Sequence, residues 1–264
     1  MICLDIDGTL LNSNHQISET VKETIKLVVS KQHIPIVLVS ARMPKGIRFL
    51  QKELEISAPI ICYSGALIFD EKGKQLSAES IDSVYLKEIY RITNALNIHM
   101  SLYKDDQWYV ESMDAWAKQE SKITNIKPKV ISFVTLFELW GEEGHGPNKI
   151  LCMAKPKRII QLKETLKIEA LNIYPSKETY LEIMPKQASK TSAIQVLEQK
   201  FGVQQSEIIA MGDNHNDVDM LKYAGLGIAM GNAPESVKQH AKEITLTNDE
   251  DGVAAALLKY VVLE

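Results

Sequence analysis

Two short strand-like runs, one near each end of the chain, stop abruptly at clusters of carboxylates. Met1 to Leu4 passes straight into Asp5-Ile6-Asp7-Gly8-Thr9, and Glu207-Ile208-Ile209-Ala210-Met211 into Gly212-Asp213-Asn214-His215-Asn216-Asp217. Apolar runs without polar alternation suit strands buried on both faces, and such strands belong to parallel sheets covered by helices. Each acidic cluster then sits at a strand end, and the two meet only if both strands run parallel in one sheet. Within the first cluster, side chains two apart on an extended segment lean the same way. Asp5 and Asp7 can therefore face one site, with Gly8 turning the backbone after them.

The rest of both ends supports that architecture. Ser18 is a plausible N-cap for a helix whose apolar face carries Val21, Ile25, Val28 and Val29. Ile34 to Val39 reads as a buried strand followed by Ser40-Ala41-Arg42, and Pro44 suits the first turn of a helix bearing Ile47, Leu50 and Leu54. Ile60 to Tyr63 is a third strand, with a hairpin expected around Asp70 to Gly73. Late in the chain, Ser189 caps a helix with Ile194, Leu197 and Phe201. Strand Ile208 to Met211, a helix with Val218 and Leu221, strand Leu226 to Met230, a short helix opened by Pro234 and a last apolar face at Val253, Leu257, Leu258 and Val261 follow. The fold class is α/β: a parallel, Rossmann-like sheet with helices on both faces.

The middle has a different texture, with long polar intervals and all three tryptophans, Trp108, Trp116 and Trp140. Helical stripes at Tyr85, Ile89, Ile92 and Leu96 and at Ile159, Leu162 and Leu166 alternate with strands at Ile98 to Tyr103, Lys149 to Ala154 and Tyr180 to Met184. This predicts an inserted α+β domain over 81–186, with a discontinuous core domain from 1–80 and 187–264. Gly141 to Pro147 reads as a connection, since it lacks the Lys-Ser/Thr ending of a phosphate-cradling loop.

A net charge of −4 over 264 residues supplies no basic field for nucleic acid or an anionic membrane. The apolar runs fall far short of the roughly 20 residues of a membrane span, and Asp5 and Asp7 stand where a leader's apolar region would lie, so a cytoplasmic protein is expected. Cys3, Cys62 and Cys152 each lie in an apolar run and fit buried, reduced thiols. Ligands in open parallel sheets bind outside the carboxyl ends of the strands. Four such ends carry Asp5 and Asp7, Ser40, Ser64, and Asp213 with Asp217, and Lys190 opens the helix before the last of them. Like charges about 4 Å apart repel by about 4 kcal/mol at an effective dielectric near 20, and a bound divalent cation relieves that cost.

Taken together, Asp5-Ile6-Asp7-Gly8-Thr9-Leu10, Ser40, Lys190 and Gly212 to Asp217 resemble the haloacid dehalogenase-like hydrolases, and more narrowly their Cof-type phosphatases with a late-inserted α/β cap. The similarity runs through both ends, including Gly225 to Asn232, and is diffuse in the middle. It implies a Mg²⁺-dependent phosphatase acting on small phosphate esters such as sugar phosphates or phosphorylated cofactors. Asp5 would be the nucleophile and Asp7 the general acid and base. Mg²⁺ would be held by Asp5, the Asp7 carbonyl and Asp213. Ser40, the Ala41 amide, Lys190 and Asn216 would hold the phosphoryl oxygens. Asp217 would orient Lys190 or a metal-bound water, and Thr9 either steadies the phosphoryl group or serves the local turn. Ala41 and Thr191 stand where the family often has Gly, and Ser64 where Asn is common; these departures bear on substrate fit. A phosphomutase is the near alternative, and a non-enzymatic phospho-acceptor module the distant one. In the cap, which would close over the crevice, Trp108, Tyr109, Trp116, Glu182 and Met184 read either as pocket lining or as packing.

Overall fold

The structure, a computed structural model, describes residues 1–262. From the N-terminus, β1 (Ile2–Asp5), α1 (Glu19–Gln32), β2 (Ile36–Val39), α2 (Pro44–Leu54) and β3 (Ile60–Cys62) alternate. A single 3₁₀ turn, Tyr63–Gly65, leads to β4 (Leu67–Phe69) and β5 (Gln75–Ala78). The caps are those the sequence marks: the Ser18 hydroxyl accepts from the Val21 amide, and Pro44 occupies the first turn of α2. The turn at Asp70 closes with the Asp70 amide on the Lys74 carbonyl and the Gly73 amide on the Asp70 carbonyl.

Then come α3 (Ser83–Ala95), β6 (His99–Lys104), β7 (Gln107–Val110), α4 (Ala115–Thr124), β8 (Lys129–Val130), α5 (Phe133–Glu143), β9 (Lys149–Met153), α6 (Pro156–Thr165), β10 (Leu171–Lys177) and β11 (Tyr180–Pro185). After these come α7 (Lys190–Phe201), β12 (Ile209–Gly212), α8 (Val218–Tyr223), β13 (Leu226–Ala229), α9 (Glu235–Lys238), β14 (Glu243–Ile244) and α10 (Gly252–Leu257), which runs on into a π-helical turn, Leu258–Val262.

Two compact units result: Met1–Ser77 with Ser189–Glu264, and Ala78–Ala188. In the first, eight strands lie in the order β14-β13-β12-β1-β2-β3-β4-β5. The six from β14 to β3 pair in parallel, and β4 turns antiparallel to β3. β1 and β2 are buried along their whole lengths, as strands covered on both faces must be. In the second unit the order is β10-β11-β9-β6-β7-β8, antiparallel except for β7 with β8. Its core is its own: Ile89, Leu102, Phe133, Ile150, Leu162 and Leu181 belong to one apolar cluster drawn from this unit alone.

Helices α4 and α5 carry no stripe singled out in the sequence. Phe133, Leu136, Phe137 and Trp140 are nonetheless buried on α5, and this apolar face draws the helix through Gly141 until Gly144 caps it with φ 71°. The expected connection from 141 therefore begins as the last helical turn. Among the described residues no helix is long and apolar enough to cross a membrane. Cys3, Cys62 and Cys152 are buried thiols that form no disulfide, and burial pushes the Cys3 and Cys152 thiols up to about 12.

Candidate active site

The carboxyl ends of β1 and β12 are neighbours because the two strands pair directly, Leu4 opposite Met211. Asp5 thus leaves the sheet beside the segment that begins at Gly212. Gly8 adopts φ +88°, and a β-carbon there would lie 2.3 Å from the Asp213 Oδ2 atom, so the first acidic loop can approach the second only through a glycine. The Thr9 hydroxyl donates to Asp213 Oδ1 at 3.1 Å, tying the loops together. Of the two readings open for Thr9, this contact shows a hydroxyl engaged with the second acidic loop.

Lys190, the first residue of α7, reaches between the loops. Its ammonium donates to Asp5 Oδ1 and, at 2.5 Å, to Asp217 Oδ1. All three side chains are buried, Asp217 completely. The other Asp217 oxygen accepts from the Asp213 and Asn214 amides at 3.1 and 2.9 Å, which folds the second loop around its own carboxylate. Asn216 is exposed on the same turn. Ser40 is buried at the end of β2, its amide on the Ile61 carbonyl and its hydroxyl accepting from the Arg42 amide at 3.2 Å, with Ala41 half-buried beside it.

The electrostatics follow from crowding. Burial and the adjacent Asp217 charge push the Asp5 carboxyl well above the usual carboxylate range, against the pull of Lys190. Burial and Asp217 likewise raise Asp213 to about 6. Burial alone would depress Lys190, but the carboxylates of Asp217 and Asp5 outweigh it and hold the ammonium charged. One cation faces three anions. Asp5, Asp213 and Asp217 each offer a carboxylate oxygen within 4.8 Å of the others. Such a set of hard, anionic oxygens fits a divalent cation. Asp7 contributes no side-chain oxygen to that set; its carboxylate turns outward, half exposed.

Sequence reasoning missed Arg42. Its guanidinium grips Asp7 with two bonds, Nε to Oδ2 at 2.9 Å and Nη2 to Oδ1 at 2.6 Å. The only available signal was its place two residues beyond Ser40 at a strand end.

In the second unit, Trp108 is buried and stacks on Tyr103, and Tyr109 meets Trp140 edge to face at 5.6 Å. Glu182 pairs with Lys149 at 2.8 Å, Met184 is buried, and Trp116 is half-buried.

The haloacid dehalogenase-like hydrolase family matches residues 2–257. A Haemophilus influenzae protein that carries a provisional phosphatase name is 36% identical over 260 residues, covering 96% of this chain and 95% of that one. The Bacillus subtilis 5-amino-6-(5-phospho-D-ribitylamino)uracil phosphatase YitU is 29% identical, covering 100% and 98%. Among solved structures, a haloacid dehalogenase-like hydrolase from Bacteroides thetaiotaomicron superposes with a TM-score of 0.88 at 32% identity, over 98% of both chains. With a family match across nearly its whole length, paired acidic loops at adjacent parallel strand ends and a buried lysine between them, the chain belongs to the haloacid dehalogenase-like hydrolases.

Proposed function

We propose that this chain hydrolyses phosphate monoesters of small metabolites, with Mg²⁺ as its ion, through a phosphorylated Asp5. The observation that carries the reading is the buried Asp5 carboxylate, held by Lys190 through Oδ1 and set among Asp213 and Asp217 at the end of β1. An oxygen of Asp5 attacks phosphorus, the bond from phosphorus to the ester oxygen breaks, and that oxygen takes a proton from Asp7. Water then attacks the aspartyl-phosphate and gives a proton to Asp7, the bond to Asp5 breaks, and inorganic phosphate leaves. Asp5, Asp213 and the Asp7 carbonyl would hold Mg²⁺, which when bound supplies charge neutralisation for the approach of one anion to another.

Lys190, Ser40, the Ala41 amide and Asn216 serve the phosphoryl oxygens, the electrostatic positioning on which phosphoryl transfer depends. Asp217 orients Lys190, and Thr9 steadies Asp213. The phosphorylated ribityl compound in the name of the Bacillus subtilis relative supports the class of a phosphate on a small polyol or sugar.

The test is phosphate release from a panel of such esters with Mg²⁺. Removing a nucleophile from a cooperating set costs about 10⁴-fold or more in kcat. Asp5→Asn is therefore expected to lose turnover by at least that factor while still unfolding cooperatively. Excess EDTA is expected to stop the parent protein. Substantial phosphate release by a verified Asp5→Asn variant contradicts the nucleophile assignment, and isomer formation without free phosphate points to a phosphomutase.

A further inference from the structure

The Asp7 carboxylate is held by something the reaction scheme above does not use. Arg42 meets it with a two-pronged guanidinium, at 2.9 and 2.6 Å. The backbone of Arg42 is pinned on both sides. Its amide donates to the Ser40 hydroxyl at 3.2 Å, and its carbonyl accepts from the Tyr63 amide at 3.1 Å. That second bond depends on an uncommon backbone: Tyr63 and Ser64 are consecutive non-glycine residues with positive φ, 49° and 51°. Such conformations are strained and persist where the surroundings impose them.

Stability does not account for the Arg42–Asp7 pair. The two side chains are 32% and 50% exposed, and exposed ion pairs add little to stability. What two parallel bonds to a planar carboxylate do supply is orientation, since a fork fixes both the plane and the rotation of its partner. The carboxylate has about four lone-pair sites and the fork uses two, so its outer edge stays free to carry a proton.

We propose that Arg42 is a positioning residue for Asp7, fixing the edge that this carboxyl presents for proton transfer. The assignment rests on the reading of Asp7 as general acid and base. It goes further by naming the group that aims Asp7, and it assigns Arg42 no contact with phosphate.

The experiment compares two esters that differ in their need for that proton. An alkyl phosphate leaves as a strongly basic alkoxide and needs protonation; 4-nitrophenyl phosphate leaves as a stable phenolate and does not. In a mechanism with a covalent intermediate, kcat/KM reports only steps through phosphorylation of Asp5, whereas kcat also includes hydrolysis of the aspartyl-phosphate, which uses Asp7 whatever the ester. Misplacing a reacting group by about 1 Å costs about 10²-fold. For Arg42→Ala, kcat/KM is therefore expected to fall about 10²-fold with the alkyl ester and by less than about ten-fold with the aryl ester. With the aryl ester kcat falls by more than kcat/KM does, so its KM falls too. Arg42→Lys keeps the charge and the stem but loses the fork; it is expected to show the same pattern more weakly and serves if the alanine variant does not fold.

An equal loss of kcat/KM for both esters overturns the proposal, because Arg42 would then act on the phosphoryl group common to both. An unchanged kcat/KM for the alkyl ester also overturns it. A parent protein that hydrolyses neither ester sinks the underlying phosphatase reading, an outcome separate from either pattern in the variants.

Discussion

Lys190 is the residue on which the acidic centre balances. Two buried carboxylates, Asp5 and Asp217, bond to it, a third, Asp213, stands beside them, and no other ammonium appears among their described partners. Leaving a buried charge without its partner costs about 3–5 kcal/mol. Lys190→Met is therefore expected to lower unfolding stability by about 3 kcal/mol at pH 7.5 in EDTA. The loss should shrink near pH 5, where Asp213, raised to about 6, takes a proton and Asp5 is displaced in the same direction. Urea titrations at the two pH values measure both, and a variant as stable as its parent at pH 7.5 would show that the carboxylates need no balancing cation. Much of this centre was legible in the sequence, because Asp5, Asp213 and Asp217 sit beside apolar runs and Lys190 follows an N-cap serine. Arg42 was not, since its partner lies 35 positions away and only the adjacency of β1 and β2 brings them together. Nor was Asp217 as the organiser of its own loop, a role that rests on two backbone amides rather than on any pattern of residue types.

Among elements, the 3₁₀ turn Tyr63–Gly65 carries more than its length implies. It closes on the β2 end through the Ser64 amide to the Ser40 carbonyl at 2.9 Å, and on Arg42 through Tyr63. Its last residue, Gly65, has φ +111°, and a β-carbon there would stand 2.1 Å from the Ser189 carbonyl oxygen, at the cap of the helix that delivers Lys190. Backbone strain of that kind costs about 1–3 kcal/mol before any collision is counted. Gly65→Ala is thus expected to destabilise the protein by about 2 kcal/mol or more and to reduce kcat, because α7 must retreat to make room. Thermal unfolding together with phosphate release checks it, and an alanine variant with parental values on both would show the contact to be soft. The strand before this turn was readable as an apolar run, though one residue too long, since Tyr63 already belongs to the turn, and the hairpin after it was readable from Asp70 and Gly73. The turn itself was not, since it uses left-handed tyrosine and serine where composition points to no special geometry. Helix α5 escaped for the opposite reason: its apolar face is plain, but the glycines at its end suggested a loop sooner than the helix stops.

At the scale of the molecule, the two kinds of sheet explain why its halves read differently. Parallel strands buried on both faces produce uninterrupted apolar runs, whereas the sheet of Ala78–Ala188 has strands such as β7, where buried Trp108 and Val110 alternate with the half-buried Gln107 and Tyr109. The parallel unit pays a folding cost at its strand ends, where negative charge is concentrated, and that cost links global stability to protons and to metal. Burial raises the Asp213 carboxyl from 3.8 to about 6. Between those values the folded chain binds more protons than the unfolded one, so this group's contribution to stability is present at low pH and is lost as pH rises through about 6. A divalent cation offsets the loss where the proton no longer does. A ligand at 100 times its Kd stabilises by about 2.7 kcal/mol, and for a domain of about this size each kcal/mol moves Tm by roughly 2–4 °C. Saturating Mg²⁺ is therefore expected to raise the transition of the site-bearing unit by about 5–10 °C at pH 7.5 and by much less at pH 5, where protons compete for the same oxygens. Asp213→Asn should flatten the difference between the two pH values. Calorimetric scans with and without Mg²⁺ decide the matter: a shift as large at pH 5 as at pH 7.5 would mean that the ion binds away from Asp213, and no shift at either pH would mean that these carboxylates hold no such ion.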